Sequence, residues 1–265
     1  MGMSGHDPQT VPPSDRTTLA RPLPPPPSRL SRPALFLDLD GVLAPLAPTP
    51  EAVVPDPRRT AVLRGLFDRL GGRVAIISGR TLAEVDRISE ATMRSASGVH
   101  GLERRRDDGT LVVGEPAPAV RTAVAAFHDF AAERPGIIVE DKGVSAGLHF
   151  RGAQDQAGAA LSLADRLAGD TGLSVQTGNL VVELKTPGTD KGTALTAFMD
   201  EAPFRGAMPV MVGDDLTDEH GFAAAAALGG FGVLVGPPRT TAARFGLKDV
   251  AAVLDWLESL NEGPE

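Results

Sequence analysis

Ala34-Leu35-Phe36-Leu37-Asp38-Leu39-Asp40-Gly41 is an apolar run that ends in two carboxylates and a glycine. Four consecutive apolar residues before a polar turn predict a strand buried on both faces, as in a parallel sheet covered by helices. Asp38 and Asp40, two positions apart, leave the C-terminal end of that strand on one side before Gly41 turns the chain. In an open α/β sheet this edge is where ligands bind. Two close carboxylates repel each other, and a cation or a shared proton between them relieves the repulsion.

Working outward, Val62, Leu63, Leu66, Phe67 and Leu70 recur at helical spacing before Gly71-Gly72. Val74-Ala75-Ile76-Ile77 then predicts a second buried strand, which stops at Ser78-Gly79-Arg80. Thr81-Leu82-Ala83-Glu84 has the form of a capping box and starts another helix. Strand and helix alternating over short connections imply a parallel sheet. The same pattern resumes late in the chain. A helix follows Lys191, and the strand Pro209-Val210-Met211-Val212 runs into Gly213-Asp214-Asp215-Leu216-Thr217-Asp218. The Ala223 to Ala227 run predicts a close-packed helix, Phe231 to Val235 another strand, and Val250, Val253, Leu254 and Leu257 a final amphipathic helix.

Between these halves the period changes to two. Val144, Ala146, Leu148 and Phe150 alternate with Ser145, Gly147, His149 and Arg151, and Leu180, Val182 and Leu184 alternate with Val181, Glu183 and Lys185. These predict half-buried antiparallel strands, separated by a helix around Gln156 to Ala168 and preceded by one carrying Val120, Val124, Phe127 and Phe130. An α+β insertion at 108–186 therefore interrupts a core of 34–107 and 187–265.

Composition narrows the chemistry. With 42% hydrophobic and 23% charged residues the chain of 265 residues is ordinary globular protein. No apolar run approaches the ~18 residues of a membrane span. The absence of cysteine excludes disulfides, thiolate nucleophiles and cysteine-bound zinc, and the absence of tyrosine excludes phenolic acid/base chemistry. A net charge of -8 argues against a duplex-DNA binder, which needs a basic face. The first 33 residues hold nine of the 23 prolines, including Pro24 to Pro27, and read as a disordered or polyproline tail with no identified partner. No basic stretch followed by an apolar one marks a secretory signal there, so a cytoplasmic location is expected.

Asp38, Asp40 and Asp214 together offer hard oxygen ligands for Mg²⁺. Asp215 and Asp218 are candidates either for helix capping or for support behind the metal. The Ser78 hydroxyl suits a phosphoryl oxygen, and Lys191 suits the balancing positive charge. On the insertion, Glu140 with Lys142, His149 with Arg151, and Glu183 with Lys185 each share one sheet face, where carboxylates can accept from sugar hydroxyls.

Asp38-Leu39-Asp40-Gly41-Val42, Ser78-Gly79-Arg80, Lys191 and Gly213-Asp214-Asp215-Leu216-Thr217-Asp218-Glu219 resemble, in order, the four motifs of the haloacid dehalogenase superfamily. The resemblance implies a Rossmann-like parallel-sheet core with an inserted α+β cap, and Mg²⁺ as cofactor. It implies that Asp38 is a phosphorylated nucleophile and that Asp40 protonates the leaving oxygen, then activates water. Ser78 and Lys191 would hold the phosphoryl group and Asp214 the metal. His100-Gly101-Leu102-Glu103, Val139 to Gly143, His149-Phe150-Arg151 and Val182 to Lys185 resemble the trehalose-6-phosphate phosphatase family within it. That likeness implies a cap binding the disaccharide through Glu140, Lys142, Arg151 and Glu183, with Arg80 counted among the substrate-binding residues. Phe150 stands where many relatives carry tyrosine, so that hydroxyl is missing here. The implied reaction is hydrolysis of trehalose 6-phosphate. Alternatives are a phosphatase for sucrose phosphate or a glycosyl-phosphoglycerate, and a non-catalytic sugar-phosphate sensor.

Overall fold

The computed structural model describes residues 22–178 and 180–262. The first part of the chain builds β1 (Pro33–Leu37), α1 (Pro57–Arg69), β2 (Val74–Ile77), α2 (Leu82–Ser89) and β3 (Ser95–Gly98), followed by β4 (Glu103–Arg105) and β5 (Leu111–Val113). A second group is α3 (Ala119–Ala131), β6 (Ile138–Asp141), β7 (Ser145–His149), α4 (Ala157–Thr171), β8 (Ser174–Gly178) and β9 (Val181–Lys185). The last is α5 (Lys191–Met199), β10 (Met208–Gly213), α6 (Glu219–Ala227), β11 (Phe231–Val235), β12 (Phe245–Leu247) and α7 (Val250–Glu262).

The larger sheet has the order β12-β11-β10-β1-β2-β3-β4-β5, parallel from β12 to β3 and antiparallel beyond. Alternate residues of its strands enter two cores. Leu35, Leu37, Ile76 and Val212 pack on one side with residues of α1, α2 and α7, while Phe36, Ala75, Ile77 and Met211 pack on the other with α5 and α6. Both faces are covered, which is why β1 and β2 read as continuous apolar runs. The chain goes from β1 outward through β2 and β3 and later returns to β10 on the other side of β1. The switch point lies between β1 and β10.

The second group forms a four-stranded antiparallel sheet, β6-β7-β9-β8. Val120, Ala123 and Phe127 of α3 and Ala160 and Ala164 of α4 cover the face carrying Ala146, Leu148, Val182 and Leu184. Phe150 is buried in this same core.

Two expected boundaries shift. Leu111–Val113 pairs with β4 and extends the larger sheet, so the inserted unit begins after residue 113 and not at 108. Its exposed apolar residues and short length carry no periodic signal that separates it from the insertion. Residues 22–32, assigned to a disordered tail, are packed instead. Pro26 is buried, the Pro24 carbonyl accepts from Gly246 N at 2.9 Å, and the Pro27 carbonyl accepts from Trp256 Nε1 at 3.0 Å. Proline-rich chain needs no internal hydrogen bonds, so it can satisfy donors of the folded core while reading as low-complexity sequence. The remainder of the expected tail, residues 1–21, lies outside the described residues.

Candidate active site

Asp38 leaves β1 with its backbone N–H bonded to Val212 O of β10 at 3.0 Å, which fixes it at the switch point. Its Oδ1 accepts from Leu39 N at 2.7 Å and its Oδ2 lies 2.7 Å from Lys191 Nζ. Lys191 is the first residue of α5, whose start is capped reciprocally by Asp190 and Thr193. The Lys191 ammonium also reaches Asp218 Oδ1 at 2.7 Å, and Asp218 Oδ2 accepts from the backbone N–H groups of Asp214 and Asp215 at 3.0 Å each. Asp38, Lys191 and Asp218 are all buried. Removing three charges from water is tolerable only because each is bonded at several atoms.

Gly41, at φ +75°, is a steric requirement. A Cβ there would lie 2.0 Å from Asp214 Oδ2, so only glycine lets the β10 loop close onto the β1 loop. Oxygens of Asp38, Asp214 and Asp218 consequently lie within 4.8 Å of one another. Burial pushes the Asp38 carboxyl well above the usual range, Lys191 opposes, and Asp218 and Asp214 add repulsion. Burial, with repulsion from Asp218, raises Asp214 to about 7. Burial alone would lower the Lys191 ammonium, yet Asp218 and Asp38 hold it above its ordinary value. Three carboxylates facing one ammonium leave the cluster short of positive charge. That deficit and the all-oxygen donor set fit a hard divalent cation such as Mg²⁺.

The remaining core residues divide by partner. Ser78 is buried at the end of β2, with Oγ accepting from Arg80 N at 3.2 Å. Arg80 grips Asp40 by two bonds, Nε to Oδ2 at 2.7 Å and Nη2 to Oδ1 at 2.9 Å, and also holds Glu84 at 3.1 Å. The Asp40 carboxylate is therefore turned to Arg80, while carboxylate oxygens of Asp38, Asp214 and Asp218 cluster. Sequence spacing could not separate these, because the choice depends on which loop Gly41 admits. Asp215 caps the turn at Leu216–Asp218 through Leu216 N at 2.6 Å.

The inserted sheet turns its polar face to this edge and encloses with it a cavity of about 820 Å³. Glu140, Lys142, Arg151 and Glu183 all line it, as do Asp38, Asp40, Ser78, Arg80, Lys191, Asp214 and Asp215. Lys142 Nζ spans the two sheets, 2.9 Å from Gly79 O and 3.1 Å from Glu183 Oε2. His149 Nε2 pairs with Glu140 Oε2 at 2.8 Å, which holds that carboxylate in place. Burial would raise Glu183, but Lys142 brings it below the usual range, and Glu140 is likewise held low against burial by His149 and Lys142. Lys185, on the same face, donates to Thr189 O at 2.6 Å and ties the end of β9 to the start of α5.

One contributor left no trace in the sequence pattern. Arg239 bonds Asp215 O at 2.8 Å and pairs with Glu219, tying the acidic loop to the loop after β11. It lies in a loop with no periodicity, so nothing local distinguished it from a surface arginine.

A Rossmann-like sheet with an aspartate–lysine–aspartate chain at its switch point, beneath an inserted sheet, is the arrangement of haloacid dehalogenase phosphatases. The fold is shared with a phosphatase of that superfamily from Bacteroides thetaiotaomicron, at TM-score 0.56 and 18% identity over 84% of this chain and 91% of that one. It is also shared with the C-terminal domain of the C. albicans trehalose-6-phosphate phosphatase, at TM-score 0.80 and 20% identity over 90% and 98%. The family model for trehalose-phosphatase matches residues 36–249. Trehalose-6-phosphate phosphatase of Escherichia coli K12 is 39% identical over 244 residues, 91% of either chain. The chain belongs to the trehalose-phosphatase family, and it is a phosphoric monoester hydrolase.

Proposed function

We propose that the chain hydrolyses trehalose 6-phosphate to trehalose and phosphate, with Mg²⁺ as cofactor and Asp38 as a transiently phosphorylated nucleophile. The observation that carries this reading is the single cavity running from Asp38 and Lys191 to Glu140, Lys142 and Glu183. One end offers a nucleophile and a cation for a phosphoryl group, and the other offers a buried and a half-buried carboxylate for hydroxyls. Its size is within the ~300–1,000 Å³ of small-molecule sites. The named activity of the E. coli relative supports the same substrate.

In this reading Asp38, Asp214 and Asp218 would hold Mg²⁺. When bound, the ion neutralises part of the phosphate charge and lets Asp38 stay ionised beside it. Lys191 and Ser78 hold the phosphoryl oxygens. An Asp38 oxygen attacks phosphorus, the bond to the sugar O6 breaks, and that oxygen takes a proton from Asp40. Water then gives a proton to Asp40 and attacks phosphorus, which releases phosphate and restores Asp38. While gripped by Arg80, Asp40 is an acceptor. Its first step therefore requires that it release Arg80 and take up one proton from solvent, which it then gives to the sugar oxygen.

With this reading go a small sugar phosphate as the partner, no nucleic acid or membrane, and a cytoplasmic location. No described helix is long and apolar enough to cross a membrane. The test is phosphate release from trehalose 6-phosphate, sucrose 6-phosphate and glucosyl-3-phosphoglycerate, with Mg²⁺ and after chelation. Highest kcat/KM on trehalose 6-phosphate, abolished by chelation, is expected. A faster rival sugar removes the substrate assignment, full rate after chelation removes the cofactor, and no turnover of any of them favours a sensor.

A further inference from the structure

His100 sits where the two sheets meet, and the mechanism above does not use it. It lines the cavity from the core side and is only 8% exposed. Its Nε2 lies 3.8 Å from Glu183 Oε2, beyond hydrogen-bond reach. Its Nδ1 is buried with no partner, and so is Glu183 Oε1. Glu183 Oε2 already accepts from Lys142, so Glu183 Oε1 and a ring nitrogen of His100 are the atoms left for a third group to join.

The local backbone is built to put the ring there. Val99 and His100 have φ of 43° and 51°, a left-handed conformation that a β-branched valine rarely adopts. The β2 loop pins that conformation, with His100 N donating to Ser78 O at 3.0 Å and Val99 N to Arg80 O at 2.8 Å. A Cβ on residue 79 would meet His100 Nε2 at 2.4 Å, so Gly79 is what allows the imidazole against the Ser78-Gly79-Arg80 loop. Strain of this kind persists where surrounding structure enforces it, and it clusters at ligand sites.

Chemistry selects the tautomer. Burial holds the imidazole well below its ordinary pKa, although Glu183 opposes, so the ring is neutral and carries one proton. A proton on Nε2, the atom nearer Glu183, leaves Nδ1 buried as a bare lone pair, which costs less than a buried N–H with no acceptor.

We propose that His100 is a sugar-binding residue of the core: its Nε2–H donates to a hydroxyl of the ring that carries the phosphate, beside Glu183, which accepts from that ring. A hydroxyl both accepts and donates, so it satisfies the two groups that cannot satisfy each other. The ring nearer the phosphate is selected because His100 packs on the Ser78 loop. The inference rests on the reading that a phosphorylated sugar spans the cavity.

The experiment compares His100→Asn with His100→Gln in steady-state phosphate release from trehalose 6-phosphate. Asparagine tolerates the left-handed backbone but places its amide at the δ position, so the ε donor is lost. Glutamine fits that backbone less well but restores a donor at the ε position. The expected result is a KM raised about tenfold by asparagine with kcat changed less, the loss of one neutral hydrogen bond, and recovery toward wild type by glutamine. A KM within twofold of wild type for asparagine overturns the proposal, and so does glutamine performing worse than asparagine. A second measurement needs no variant. In the wild-type enzyme the ¹⁵N resonance of His100 Nε2 should shift on saturation with trehalose, and no shift overturns the proposal. If wild type turns over another sugar phosphate and not this one, the substrate reading falls, and His100 is judged by the same criteria with that sugar.

Discussion

The two walls of the cavity solve the problem of buried charge in opposite ways. At the core edge Asp38, Asp214 and Asp218 share one ammonium, and Asp38 and Asp214 are pushed toward the protonated form. On the inserted sheet Glu140 and Glu183 face Lys142 and His149 and are held below the usual carboxylate range, while Lys142 is raised by them against the effect of burial. The first wall needs a cation. The second is balanced already and has only hydrogen bonds left to offer. A charge-deficient wall suits a divalent metal with a phosphoryl group, and a balanced polar wall suits a neutral polyol.

Substitutions should separate the walls. Asp38→Asn removes the nucleophile and is expected to lower kcat by at least about a thousandfold on every phosphate ester, measured by phosphate release. Comparable rates in wild type and variant would dissolve the distinction at its root. Lys191→Met leaves Asp38 and Asp218 buried without their counter-charge, a change that costs about 3–5 kcal/mol. Denaturant unfolding should show that loss in chelated protein, and added Mg²⁺ should recover part of it. Glu183→Gln alters only the balanced wall, and loss of a charge-assisted bond is worth about 10- to 100-fold. The effect should fall on KM for the sugar phosphate and not on turnover of p-nitrophenyl phosphate.

An effect of similar size is expected in pH. The Asp214 carboxyl is raised from 3.8 to about 7 in the folded chain, so metal-free protein carries a proton there that unfolded chain lacks. Its contribution to stability is full below about pH 4 and is lost as pH rises through about 7. Mg²⁺ must displace that proton. Its affinity should tighten by up to about tenfold per pH unit from 5 to 7 and then level off, as calorimetry with Mg²⁺ would show. A flat profile over that range would mean that Asp214 is ionised already and that the core edge is not short of positive charge.

Much of this was legible from the chain. Continuous apolar runs before Asp38, Ser78 and Asp214 betray strands covered on both faces, and the acids that follow them must lie at one sheet edge. The period-two alternation of 144–151 and 180–185 likewise separates the apolar face from the polar one. What alternation cannot give is pairing across loops. That the Asp38, Asp214 and Asp218 carboxylates cluster while Asp40 turns to Arg80 depends on a glycine at position 41 and on the register of β1 against β10. Residues 22–32 give no signal of their packing for a related reason, since polyproline chain shows no periodicity whether it is packed or free.

In this reading the core performs phosphate chemistry while the inserted sheet selects the sugar. The most direct measurement is the ratio of kcat/KM for trehalose 6-phosphate to that for p-nitrophenyl phosphate in the wild-type enzyme with Mg²⁺. A ratio of about a hundred or more is expected, since Glu140, Glu183 and Lys142 would engage only the sugar. A ratio within a few-fold of one would contradict it, because the sheet above the cavity would then contribute nothing to the choice of substrate.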